Sequence, residues 1–238
     1  GEIGREQAIK TGMLGTVVRE RGDLGEAERL AHAAIEMHRP LRGENHPDEM
    51  PMRVLLALIH KDRGEYDAAE EILRVVVEIR TKFGGPEHTQ TAQALVHLGA
   101  VLVAKGDFEA ARPFLETAVR IYREKLGNEC IYTVWAESIL AGAFARQDQE
   151  GDAAHLFRRA LAVRRSPVGM APEVAESLHD LGTFLAQRGR CQEAGRLLTD
   201  ALALRRQLYG TEHPLVADTL VSLARLRRAE GRVDVATG

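Results

Sequence analysis

Aromatic residues are scarce in this chain: Phe, Tyr and Trp together make up 5% of its 238 residues, and there is a single Trp. A compact globular core usually draws on more aromatic volume, whereas helices stacked closely side by side draw on alanine. Cysteine is scarcer still. Cys130 and Cys191 are the two present, and they fall at opposite phases of the repeat described below. That places them beyond the roughly 7 Å between α-carbons that a disulfide allows. Free thiols fit a reducing compartment. Net charge is also small, −3 with a pI near 6.3, so nothing global favours nucleic acid or an anionic membrane. No run approaches the roughly 18 apolar residues of a membrane span, and no signal-peptide pattern opens the chain, so a cytoplasmic location is expected.

What the chain has in abundance is itself. Gly22, Gly64, Gly106, Asp148, Gly189 and Gly231 follow one another at gaps of 42, 42, 42, 41 and 42 residues. Eight positions before each stands a leucine, Leu14, Leu56, Leu98, Leu140, Leu181 and Leu223, and five positions after each stands an alanine, from Ala27 to Ala236. Self-similarity at this period means stacked structural units, none of which buries its apolar face alone.

Within one repeat the apolar residues follow helical spacing twice. In the third, Ala92, Leu95, Leu98, Gly99 and Leu102 share one stripe, and Phe108, Ala111, Phe114, Leu115, Ala118 and Ile121 another. Lys105-Gly106-Asp107 makes the turn between them, where a left-handed residue caps the first helix. Ala27, Ala111 and Ala118 are read as small because helices cross there. Gly43-Glu44-Asn45-His46-Pro47, Gly85-Pro86-Glu87-His88-Thr89 and Gly210-Thr211-Glu212-His213-Pro214 supply stop and start signals between repeats.

This pattern resembles the tetratricopeptide repeat: Leu-Gly eight residues before a turn glycine, then Glu-Ala, then Ala before an Ile-Arg or Leu-Arg run, then a Gly-x-x-His-Pro loop. Leu181-Gly182, Gly189, Glu193-Ala194, Ala201, Leu204-Arg205 and Gly210 to Pro214 match it best, and the period resembles the longer kinesin-light-chain-like subclass. The resemblance implies an all-α, right-handed α-solenoid of stacked antiparallel helix pairs. Its repeats would span about 5–46, 47–88, 89–130, 131–171 and 172–213, with a truncated sixth over 214–238, all in a single solenoid. The chain starts at Gly1 and stops soon after Ala236, so it is expected to be a piece of a longer protein.

The same resemblance implies a scaffold rather than an enzyme, with first helices lining a concave groove that binds a protein or peptide partner, and with no cofactor. An alternative makes it the regulatory region of a larger bacterial signalling protein, a kinase or ATPase. Groove positions in the first two repeats are mostly apolar or small. From the third onward they hold Gln93, Trp135, Ser138, Glu176, His179, Thr183, Asp218 and Arg225, which are the expected peptide-binding residues. Trp135 either plugs the space between the third and fourth repeats or anchors a ligand. The places where kinesin light chains carry paired asparagines hold Val54-Leu55, Val96-His97, Ser138-Ile139 and His179-Asp180, so cargo specificity does not transfer.

Other candidates have plainer readings. His46, His88 and His213 recur at one loop position, but a whole repeat separates them, whereas a metal needs ligands about 2.0 to 2.3 Å from one centre; loop capping is the expected role. Glu176, His179 and Asp180 are the nearest approach to a catalytic cluster, without evidence of a substrate pocket. Arginine outnumbers lysine 27 to 5. The pairs Arg158-Arg159, Arg164-Arg165 and Arg205-Arg206 fall on second helices without aromatic platforms, and a solvated convex face is expected rather than nucleic-acid binding. The fourth repeat is irregular at Gln147-Asp148-Gln149-Glu150 and at Ser166-Pro167-Val168-Gly169, the place to expect a hinge.

Overall fold

The computed structural model describes residues 2–42, 46–147, 149–165 and 171–237. Among them are eleven α-helices, one 3-10 turn at Pro47–Glu49 and no strand. The helices divide between two compact bodies, Gly1–Gly127 and Asn128–Gly238. The N-terminal body holds α1 (Glu2–Glu20), α2 (Leu24–Arg42), α3 (Met50–Asp62), α4 (Tyr66–Gly84), α5 (Thr89–Lys105) and α6 (Phe108–Leu126). The C-terminal body holds α7 (Ile131–Arg146), α8 (Glu150–Arg164), α9 (Ala171–Gln187), α10 (Cys191–Tyr209) and α11 (Pro214–Thr237). In each body every helix packs on the next in sequence, and first helices of successive repeats touch side by side, α1 on α3, α3 on α5 and α9 on α11.

The repeat residues do what their chemistry allows. Gly106 caps α5 in the left-handed conformation, φ 94°, and Asp107 then accepts a hydrogen bond from the Ala110 amide at 3.1 Å to start α6. Ala27, Ala111 and Ala118 are completely buried. The glycine of Leu98-Gly99 is needed for close approach, because a Cβ there would stand 2.5 Å from Leu115 Cγ; at Gly182 the same contact is 2.8 Å from Leu198 Cγ. Leu56 shows how the signature leucine is used: it joins one core with Ala31, Ala34 and Ile35 of the preceding repeat's second helix. Leu14 carries the same signature yet is 53% exposed, since no helix precedes α1 among the described residues.

Two expectations change. Gly231 does not turn the chain, for α11 runs through it to Thr237. The paired arginines are not uniformly solvated either. Arg158, Arg165 and Arg206 face outward, but Arg164 and Arg205 are buried. Asp148 and residues 166–170, where the hinge is expected, lie outside the described residues. No helix among the described residues is long and apolar enough to cross a membrane.

Candidate functional site

The histidines of the inter-repeat loops are caps. Nδ1 of His46, His88 and His213 each accepts from the backbone amide two residues on, Asp48, Gln90 and Leu215, at 3.2 Å in every case. An imidazole acceptor thus takes the place of the usual Ser, Asp or Asn at a helix start. Cys130 holds the equivalent position before α7 and offers no such bond. Both cysteines are free thiols, and no group of three or more His, Cys, Asp and Glu among the described residues could hold a metal ion.

The expected groove residues are distributed over both bodies. Gln93 belongs to the N-terminal body, exposed on α5. That body also has a cleft of about 390 Å³ lined by Ile9, Met13, Thr16, Pro51, Met52 and Arg80, among others, so the apolar positions of the first repeats do enclose space. In the C-terminal body, Trp135 is half-buried on α7, and the Ser138 hydroxyl donates to the Val134 carbonyl at 2.9 Å. Arg225 is exposed on α11.

Glu176, His179 and Thr183 share one face of α9, and of the three His179 meets Asp218. They lie three and four residues apart, and His179 Nε2 stands 3.1 Å from Asp218 Oδ2 on α11. The foundation of this cluster is two arginines that were expected on a solvated face and are buried instead. Arg164, at the end of α8, donates through Nη1 to the Glu173 carbonyl at 3.2 Å, to Glu176 Oε2 at 3.0 Å and to Ser177 Oγ at 2.9 Å. Arg205, at the end of α10, donates to the Leu215 carbonyl at 2.9 Å and Thr219 Oγ1 at 2.8 Å, with Asp218 Oδ2 at 3.6 Å. Each guanidinium therefore clips one repeat's second helix to the first turns of the next. The two occupy the same place in the repeat, 24 residues after Leu140 and Leu181; in the N-terminal body that place holds His38, Arg80 and Tyr122. Only the repeat register could have singled them out, and the register does not say what a side chain reaches.

Burial sets the protonation of the cluster. His179 is held below its ordinary range, first by burial, then by the Arg205 charge, with Asp218 opposing. Its imidazole is neutral near pH 7. Asp180 goes the other way: burial pushes its carboxyl up to about 7, with Glu176 and Asp218 adding to the rise and both arginines opposing it. Glu176 and Asp218 keep more than half of their side chains exposed. Beside them a cavity of about 250 Å³ opens between Pro172, Glu173, Glu176, Arg205, Tyr209 and Leu215. The arrangement offers charge and hydrogen bonding at fixed spacing on a rigid frame.

Comparison with known proteins agrees with the repeat. The family model of the tetratricopeptide repeat matches over residues 6–82, 50–124, 90–166 and 173–237. No curated protein matches in sequence. Among solved structures, the kinesin light chain TPR-like repeats of Podosopora anserina superpose with a TM-score of 0.65 at 23% identity, covering 86% of this chain and 97% of that one. BtubC of P. vanneervenii gives 0.66 at 22% identity, covering 90% and 89%. A thermophilic TPR protein of Thermus thermophilus gives 0.65 at 17%, covering 91% and 99%. These likenesses speak for the fold, an all-α solenoid of stacked antiparallel helix pairs. With the family model matching nearly the whole chain, this protein is a member of the tetratricopeptide repeat family.

Proposed function

We propose that this chain is a protein-interaction scaffold whose first-helix face in the C-terminal body receives an extended or helical peptide from a partner protein. The observation that carries the reading is the cluster on α9 and α11: ionisable side chains, held in place by buried arginines, are presented at helical spacing and partly exposed. Groups fixed in this way set the register of a bound segment, and Trp135 supplies an aromatic anchor on α7. The second helices are the structural counterpart. Their alanines are consumed in helix crossings, and the exposed members of the arginine pairs are not assembled around any such cluster.

The test is selection of binding peptides from a displayed library on the whole chain, followed by measurement of the selected peptides on the Trp135→Ala/Arg225→Glu double variant. Binding weakened at least about tenfold with unchanged helicity supports the reading. Undiminished binding removes this face and directs attention to the exposed arginines of α8 and α10.

A further inference from the structure

The clip position carries an arginine in the N-terminal body too, and there the acid that meets it elsewhere is missing. Arg164 and Arg205 each meet the acid five residues before the next repeat leucine, Glu176 at 3.0 Å and Asp218 at 3.6 Å. Each also bonds the hydroxyl one residue further on, of Ser177 and Thr219. For Arg80 the corresponding residues are Gln93 and Ala94, a neutral amide and a methyl group. Its one hydrogen bond among the described residues runs from Nη1 to Gln90 Oε1 at 2.7 Å, and it has no ion pair among them. Yet Arg80 is half-buried, and burial holds its guanidinium below the ordinary arginine range, with the Asp48 charge opposing. Asp48 is itself committed to Arg5, at 3.2 Å. A guanidinium offers five N–H donors, and withdrawing one from water without an anion is costly.

Arg80 lines the cleft of about 390 Å³ in this body, a volume in the range of sites that hold ligands. Ile9, Met13, Pro51 and Met52 give the cleft an apolar lining, of which Met13 is 67% and Ile9 42% exposed. Its charged groups are Arg5, Asp48 and Arg80, so one positive charge is left over once Arg5 and Asp48 pair. We infer that this cleft is a second docking site, separate from the C-terminal face. In it Arg80 holds an aspartate or glutamate of a partner protein, and the apolar side chain beside that acid packs on Ile9, Met13, Pro51 and Met52. The ligand supplies from outside the carboxylate that Glu176 and Asp218 supply within the C-terminal body. A carboxylate is a stronger acceptor for a guanidinium than the amide oxygen of Gln90, and a basic segment would meet like charge.

The experiment uses the whole chain with labelled methionine methyls and arginine side chains, followed by NMR at low salt. It is titrated with the peptide Leu-Glu-Leu-Glu-Leu, blocked at both ends, and separately with Leu-Lys-Leu-Lys-Leu and with acetate. The acidic peptide should move the Met13 and Met52 methyl signals and the Arg80 Nε–H signal. The basic peptide should move none of them, and acetate should need a concentration at least about tenfold higher. Arg80→Gln should weaken the acidic peptide at least about fivefold, and Met13→Ser, at an exposed position, about threefold. Gln93→Glu keeps the arginine and gives it an acid of its own, so it should weaken the peptide several-fold without lowering the urea midpoint. That variant also reads the site if Arg80→Gln loses helicity. Equal binding of the two peptides, acetate binding as tightly as the acidic one, or undiminished binding by Arg80→Gln or Gln93→Glu would overturn the inference. So would the absence of these shifts at millimolar peptide, or shifts confined to the C-terminal body. Such a failure leaves the proposed function standing, because that is read on α7, α9 and α11.

Discussion

In each body one residue just before a repeat leucine is ionisable, His97 before Leu98 and Asp180 before Leu181. Both are mostly withdrawn from water, and burial is the main cause in each case, yet their responses are opposite. The His97 imidazole is pushed down to about 4, with the Lys61 and Arg19 charges assisting, whereas the Asp180 carboxyl is pushed up to about 7. In both the neutral form wins, because a low-polarity site penalises whichever form is charged. One structural position in one repeat thus gives the two bodies opposite sensitivities to pH. The bodies differ likewise at the clip position, where the C-terminal one uses two buried arginines that bond the next repeat and the N-terminal one holds His38, Arg80 and Tyr122.

The largest test of that difference removes a clip. Arg205→Ala should destabilise the C-terminal body by about 3 kcal/mol, since it leaves the Leu215 carbonyl and the Thr219 hydroxyl only their bond to each other, removes the buried charge beside Asp218 and leaves a cavity. Arg80→Ala should cost only about 1 kcal/mol, because Arg80 is half-buried and donates to the exposed Gln90 at 2.7 Å. Hydrogen exchange read separately in the two bodies checks both, and equal losses would erase the distinction.

Helix crossings within the N-terminal body set the scale for these losses. Ala111→Leu and Ala118→Leu should each cost about 1 to 3 kcal/mol through overpacking. Gly99→Ala should fall in the same range, about 2 kcal/mol, because its new Cβ meets Leu115. Urea midpoints unchanged by all three would show that these sites are not tightly packed.

The pH responses come next. A folded chain that keeps His97 neutral while the unfolded chain protonates it near 6.5 loses stability as pH falls from about 6.5 towards 4. A folded chain that keeps Asp180 protonated while the unfolded chain ionises it near 3.8 loses stability as pH rises from there to about 7. Each effect should be on the order of 2 kcal/mol once partial exposure is discounted. His97→Gln should flatten the acid side for the N-terminal body alone, and Asp180→Asn the rise for the C-terminal body alone. If either variant altered the other body's profile, the assignment would fail.

The smallest effect concerns the caps. Cys130→Asn should raise stability by about 0.5 to 1 kcal/mol by supplying the acceptor that His46, His88 and His213 supply elsewhere. A thermal scan is enough to see it, and a lower melting temperature would show that the loop before α7 does not tolerate the cap.

The fold was legible because its determinants recur: turn glycines, crossing alanines and loop histidines sit at fixed phases, so each repeat corroborates the others. Leu14 shows the limit of that logic, for a signature residue is buried only if a neighbouring helix covers it. Of the candidate site, the positions on α9 and α11 were legible from the register. Their foundation was not. Arg164 and Arg205 each sit beside an exposed arginine, and composition cannot tell which of two adjacent arginines turns inward. The pairing of His179 with Asp218 joins residues 39 positions apart, and periodicity fixes a residue's face without fixing its partner. Asp180 was legible only as the neighbour of Glu176 and His179, because its desolvation is something no motif encodes.

The central claim, that recognition belongs to the first-helix face of the C-terminal body, is tested most directly by mapping a library-selected peptide onto the labelled chain by NMR. The account predicts that the amides shifting on binding belong to α7, α9 and α11, with His179 among the strongest. Shifts confined to the second helices α8 and α10, around Arg158, Arg165 and Arg206, would contradict it.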